Sequence, residues 1–143
     1  MFVVCSDDYA GAGLVAQCDP AIVLQTPGGA RATRECAARA TFEYAVQYVG
    51  VRLVVVLAHR GCQAARGAAL KGAPEEALAQ WQMLTSDDFS RSLFLGHGVA
   101  VRLLWIDALA GTVCDWHAEE QRLAPLRRDD FADLLASLGA TTS

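Results

Sequence analysis

Two short segments gather residue types that bind metal ions. Val3-Val4-Cys5-Ser6-Asp7-Asp8 closes one apolar run, and Leu57-Ala58-His59-Arg60-Gly61-Cys62 closes another. Two thiolates and an imidazole suit Zn²⁺ in a tetrahedral site, and Asp7 adds a carboxylate next to Cys5. His59 and Cys62 are three residues apart at a strand-to-helix turn, a spacing that lets both reach one ion. Zinc or a helix N-terminus would each favour Cys62 as a thiolate. A cysteine at a strand end is also commonly a buried small hydrophobe, and a single His-x-x-Cys is weak evidence. Spacing alone leaves both readings open.

The elements that must position these residues are legible as apolar patterns. Residues 2–5, 21–25, 52–58 and 99–106 are continuous apolar runs rich in β-branched side chains, the pattern of strands buried on both faces. Residues 112–116 predict a short edge strand. Helical patterns fall between them. Within 32–49, Ala38, Phe42, Ala45 and Val49 form one apolar stripe, closed by Gly50. A helix is expected to open near Gly61. Another pattern runs over 74–95 with a break at Thr85-Ser86, and Phe131, Leu134, Leu135 and Leu138 share one face of a C-terminal helix. Strands alternating with helices predict a single domain over 1–143, a three-layer α/β/α fold with a mainly parallel sheet of four or five strands. In such sheets chemistry collects at the carboxyl ends of the strands, where Cys5, Asp7, His59 and Cys62 fall.

Composition excludes several function classes. The chain has 143 residues, 53% hydrophobic and 20% charged, with 12 Lys+Arg against 16 Asp+Glu and a net charge of −4. That balance is a folded domain's. It does not suit binding to nucleic-acid phosphates, and 8% aromatics supply few stacking platforms. No apolar run approaches the roughly 20 residues of a membrane-spanning helix. With no secretory signal and an odd count of five cysteines, a cytoplasmic protein without a disulfide framework is expected. Gly11-Ala12-Gly13-Leu14-Val15-Ala16 fits G-x-G-x-x-A, but it begins six residues after Cys5, and residues 21–25 end in Gln25 rather than an acid. A dinucleotide site is not expected there. A phosphatase-type cysteine needs an Arg six residues on, where Cys5 has Gly11 and Cys62 has Ala68.

The local sequences resemble the β-class carbonic anhydrases. Cys5-Ser6-Asp7 resembles the start of the family's Cys-x-Asp-x-Arg motif. Thr41-Phe42-Glu43-Tyr44-Ala45-Val46, then Val49-Gly50-Val51 and Val54 to Cys62, is similar to its stretch from Ser-x-Glu-Tyr-Ala to Gly-His-x-x-Cys-Gly. The Cys5-to-His59 separation is also family-like, and Ile106-Asp107 with Gly111 resembles its Tyr-Asp-x-x-Thr-Gly hairpin. The resemblance covers residues 2 to about 117 and implies a Zn²⁺ cofactor on Cys5, His59 and Cys62, with Asp7 as the carboxylate beside the metal. It further implies reversible hydration of CO₂ to bicarbonate by zinc-bound hydroxide. Relatives that hydrolyse CS₂ or COS use the same metal motif. It also implies a homodimer, with a strand such as 99–106 offering an edge to a second copy.

Departures surround the ligands. The family Arg that pairs with the Asp is Tyr9 here, which supplies no fixed cation. The family's Arg-Asn-Ala-Gly aligns with Gln25-Thr26-Pro27-Gly28, so Gln25, Gly28 and Gly29 are expected to border the pocket. Gln63 replaces a Gly, Arg60 stands at a usually small polar position, and the chain begins at the first strand, without the family's N-terminal arm. Two readings follow. In one, the site is catalytic and Arg31, Arg34 or Arg60 supplies the missing charge. In the other, Asp7 is a fourth ligand, and the protein is a non-catalytic zinc-binding or assembly protein on the same fold, since closed four-ligand zinc is typically structural. His97 and His117 are candidate proton shuttles or simple surface and cap residues. Cys114, Asp115 and His117 invite a second metal site, against which strand alternation sends Cys114 and Asp115 to opposite faces. Trp81, Trp105 and Trp116 are expected in core or interface packing.

Overall fold

The computed structural model describes residues 1–6, 8–16, 18, 21–27, 34–62 and 73–139. Among these residues six strands form one sheet in the order β2-β1-β3-β4-β5-β6. They are β1 (Phe2–Cys5), β2 (Val23–Thr26), β3 (Leu53–His59), β4 (Ala100–Asp107), β5 (Thr112–His117) and β6 (Arg122–Pro125). The first four run parallel and β5 and β6 are antiparallel. The helices are α1 (Tyr9–Val15), α2 (Cys36–Glu43), α3 (Ala73–Ser86), α4 (Asp88–His97) and α5 (Arg128–Gly139). The mainly parallel three-layer architecture is as expected, with one strand more than the four or five predicted.

The extra strand changes two expectations. β5 is not an edge, because β6 pairs with it through Trp116↔Leu123. Strand 99–106 cannot pair with a second copy either. Its counterpart β4 is bonded along one side to β3 and along the other to β5. The sheet edges are β2 and β6.

Burial follows the apolar runs. Every residue of β1 is buried, as are Leu53 to Ala58 of β3. Alternation then sorts side chains to two cores. Val3, Val54, Val56, Leu103 and Trp105 join Phe42, Val46, Leu84 and Phe94, with Trp81 and Trp116 packed alongside. On the other face Phe2, Val4, Val55, Leu57, Leu104 and Ile106 meet Phe131. Leu134, Leu135 and Leu138, expected beside Phe131, have side chains outside the described set. The long helical pattern breaks at Asp87, whose carboxylate accepts the Ser90 N–H and caps α4.

Helix α2 departs from the sequence expectation at its C-terminal end. Ala38, Phe42 and Ala45 are buried, but Val49 is exposed and Val46 is buried in its place. The cause is a π-helical turn over Tyr44–Val49. Its i→i+5 bonding takes up more residues per turn, so a stripe counted at 3.6 residues loses phase. The segment still ends at Gly50, as expected.

The β4–β5 hairpin is fixed by Asp107. Its Oδ1 accepts the Leu109 and Ala110 N–H groups, each at 3.1 Å, and its Oδ2 accepts from Arg60 Nη1 at 2.9 Å. The Ala110 N–H, joined by the Arg60 guanidinium and the Leu109 N–H, holds this carboxyl below its ordinary value of 3.8. Among the described residues no helix is long and apolar enough to cross a membrane.

Two outcomes test this framework. Phe42 is fully buried and meets Phe94 edge-on, with centroids 5.6 Å apart. Phe42→Ala should therefore cost about 3–5 kcal/mol in urea unfolding. A lowered carboxyl pKa gives stability that is present above the unfolded value and lost as pH falls through the folded one. The stability advantage of wild type over Asp107→Asn should thus hold at pH 5 and shrink as pH drops below about 4. Thermal melts across that range measure it, and a gap that widens in acid would contradict it.

Candidate metal centre

Strand order places the candidate ligands. The chain leaves β1 for β2 on one side and returns to β3 on the other, so the crossover reverses between β1 and β3. Open α/β sheets bind ligands in the crevice at such a reversal, beyond the carboxyl ends of the strands. Phe2↔Val55 and Val4↔Leu57 are paired. Cys5 therefore ends one strand just where β3 delivers His59 and the turn to Cys62.

The three residues form one group. The Cys5 and Cys62 sulfurs lie 3.5 Å apart and both residues are buried. The ligand atoms of Cys5, His59 and Cys62 lie within 4.8 Å of one another, and this is the metal-competent group found among the described residues. The ring of His59 is oriented from behind. Its Nδ1 contacts the Arg60 carbonyl at 3.2 Å. A carbonyl only accepts, so Nδ1 carries the proton and Nε2 of the neutral ring keeps the lone pair. Metal-binding histidines commonly donate their second nitrogen to a backbone carbonyl in this way. Two buried sulfurs and an imidazole so oriented fit a thiophilic divalent cation such as Zn²⁺.

The turn after Cys5 is closed by a residue that the sequence reading missed. The Asp8 N–H donates to the Cys5 carbonyl at 3.0 Å, and its Oδ1 accepts the Gly11 N–H at 2.7 Å, capping α1. Asp8 is buried, and its Oδ2 has no partner among the described residues. A Cβ at residue 11 would press on that carboxylate, so the glycine is what lets the Asp8 cap lie as it does. Asp-x-x-Gly was the available signal, an N-cap acid with a small residue at the position it bonds. Gly11 and Gly13 lie within α1, so the G-x-G-x-x-A string forms no phosphate loop.

The other sequence candidates are placed as follows. Asp7, Gly28, Gly29, Arg31 and Gln63 lie outside the described residues, as does the side chain of Tyr9, whose backbone opens α1. The helix expected near Gly61 also runs into that undescribed stretch. Gln25 is exposed and pairs with Val4, whereas Thr26 is the residue level with Cys5. Arg34 is exposed. The guanidinium of Arg60 is committed to Asp107.

Neither His97 nor His117 stands where a shuttle would. His97 ends α4 and donates Nδ1–H to the Leu93 carbonyl at 2.9 Å, a cap. His117 ends β5, two residues past Asp115, which pairs with Leu104. Since His59 pairs with Ile106, His117 sits about four residues down the sheet, roughly 13 Å. Asp115 is buried against Arg102, and Cys114 packs into the opposite core. The two faces thus separate any second metal set there. Burial first, then the charge of Asp107, pushes the Cys114 thiol up, and burial does the same for Cys18. Both are the inert thiols of packed surfaces.

Comparisons with known proteins bear on this geometry. The family model for carbonic anhydrase matches residues 1–92. No curated protein matches the chain in sequence at a significant level. Among solved structures, the β-carbonic anhydrase CcaA is 15% identical, with a TM-score of 0.69 covering 87% of this chain and 82% of its own. A tetrameric β-carbonic anhydrase of the filamentous ascomycete Sordaria macrospora is 17% identical, with a TM-score of 0.64 covering 80% and 78%. The Coccomyxa β-carbonic anhydrase, solved with acetazolamide, is 14% identical, with a TM-score of 0.62 covering 95% and 81%. At such identities the structural likeness is one of fold, and the family match spans most of the chain: the protein belongs to the carbonic anhydrase family and carries its β-class fold.

Proposed function

We propose that the chain binds one Zn²⁺ through Cys5, His59 and Cys62 and catalyses the reversible hydration of CO₂ to bicarbonate. The observation that carries this reading is the convergence of two buried sulfurs and an oriented imidazole at the strand crossover, in a chain of this family. When bound there, zinc would acidify a water and make it a nucleophile near neutral pH. The chain's own residues do the rest. Cys5 and Cys62 supply negative charge that only a cation makes tolerable in a buried place. His59 presents Nε2 because Arg60 holds the Nδ1 proton. Asp7 stands two residues after Cys5 in the sequence, and in this reading its carboxylate accepts a hydrogen bond from the nucleophile and orients it.

A second reading rests on Tyr9. With no Arg at that position, Asp7 closes the fourth coordination site and the protein is a zinc-binding, non-catalytic member of the family. Hydrolysis of CS₂ or COS would use the same open centre as CO₂ hydration and is tested alongside it.

Zinc analysis and stopped-flow CO₂ hydration separate these readings. One zinc per chain with measurable hydration is expected for wild type. Cys62→Ser should weaken metal binding by more than the roughly 100-fold that loss of a supporting residue costs. A zinc-replete but inactive wild type that gains activity as Tyr9→Arg would establish the closed site. Unchanged zinc content in Cys62→Ser would remove Cys62 from the ligand set.

We further propose that the chain self-associates as a homodimer or a multiple of one, as the tetrameric Sordaria relative does. Tyr44, Tyr48 and Val49 stay exposed along the π-helical turn, with the two rings stacked 6.0 Å apart. Such apolar stripes mark contact surfaces. Sedimentation at micromolar concentration should show a dimer or larger, shifted toward monomer by Tyr48→Glu. A monomeric wild type would contradict it.

A further inference from the structure

Strand β4 grips Arg60 at both ends. The Arg60 N–H donates to the Ile106 carbonyl at 3.0 Å, and Nη1 donates to Asp107 Oδ2 at 2.9 Å. Between these anchors sits the Arg60 carbonyl, the acceptor for His59 Nδ1–H at 3.2 Å. Asp107 is itself immobilised by the Leu109 and Ala110 N–H groups. Gly61 follows with φ +78°, a conformation that lets the 60–61 peptide turn its oxygen back toward the ring. If that peptide rotated, the acceptor would leave Nδ1. A neutral imidazole without a fixed partner exchanges its proton between both nitrogens, and protonated Nε2 cannot ligate a metal.

We propose that Asp107 is a positioning residue for His59: acting through Arg60, it holds the Arg60 carbonyl against the ring and so selects the tautomer in which Nε2 can ligate. The inference rests on reading Cys5, His59 and Cys62 as zinc ligands. Asp107 acts at two removes from the ion, and the device depends on the reach of Arg60 from the β3 turn to the hairpin. Its role is distinct from hairpin stability, because Oδ1 serves the hairpin and Oδ2 serves Arg60.

The test compares wild type, Arg60→Met, Arg60→Lys and Asp107→Asn. Arg60→Met leaves the hairpin caps intact, so the result does not hang on how well Asp107→Asn folds. Zinc affinity is measured by competition with a chromogenic chelator. The ring tautomer of His59 is read in zinc-stripped protein at pH 8 by long-range ¹H–¹⁵N correlation. Arg60→Met and Asp107→Asn should bind zinc about 10-fold or more weakly, and their ring should move from Nδ1–H to a mixture of tautomers. Arg60→Lys, which keeps a cation for Asp107, should recover most of both. Wild-type affinity and tautomer in Arg60→Met and Asp107→Asn would overturn the proposal while the metal reading stood. A wild type that takes up no zinc would overturn the metal reading and the proposal with it, and its own stoichiometry tells that result from the former.

Discussion

The Cys5 and Cys62 sulfurs are 3.5 Å apart and both residues are buried, and that proximity governs the carboxyl edge of the sheet. Two thiolates at such a distance repel, and each also loses hydration. A cation bound between them would turn that repulsion into shared coordination, which would couple its uptake to the stability of the strand ends. The pair is produced by strand topology, since Cys5 ends β1 and Cys62 follows the neighbouring strand β3. Their approach requires the parallel β1–β3 register and a tight turn after His59.

Holding that register is the task of the two cores. β1 and β3 contribute alternate residues to both, so neither strand can slip by one residue without sending its apolar set to the wrong face. β4 then extends the same constraint to the site. It pairs with β3 up to His59↔Ile106, and its next residue, Asp107, takes hold of Arg60. The turn that carries His59 and Cys62 is thus pinned by β1 on one side and β4 on the other, the preorganisation that a ligand set would need before an ion arrives.

The framework was legible because its central strands are continuous apolar runs, which have few alternatives to burial on both faces. β6 escaped notice because it has four residues, ends in Pro125 and is half-exposed, leaving neither length nor alternation to detect. The π-helical turn escaped because its signal is a phase error, with Val46 buried where Val49 was expected. At the site, Cys5, His59 and Cys62 could be named from residue type and strand-end position. Asp8 was not legible, because a single Asp-x-x-Gly is a weak cap signal until its bond to the Gly11 N–H is seen. The Arg60–Asp107 pair spans 47 residues, and only the strand register brings it together.

Whether a metal bound as proposed would keep an open position turns on how the charge of Asp7 is balanced. Asp8 fixes the backbone on both sides of the problem, through Cys5 and through Gly11. Residue 9 is therefore the first residue of α1, at the positive end of its aligned peptides. A cation there is disfavoured by the helix dipole unless a nearby carboxylate compensates it. An Arg at position 9 and an Asp at position 7 would each need the other, the Arg to sit at a helix start and the Asp to stay off the metal. Tyr9 removes both needs at once: the helix start loses an unfavourable charge, and Asp7 loses its competing cation. Arg60, the nearest described alternative in sequence to the ligand turn, is already spoken for by Asp107. With that cation withdrawn among the described residues, a zinc ion bound as proposed would compete for Asp7, and the same substitution that relaxes the helix start would favour coordination by the carboxylate.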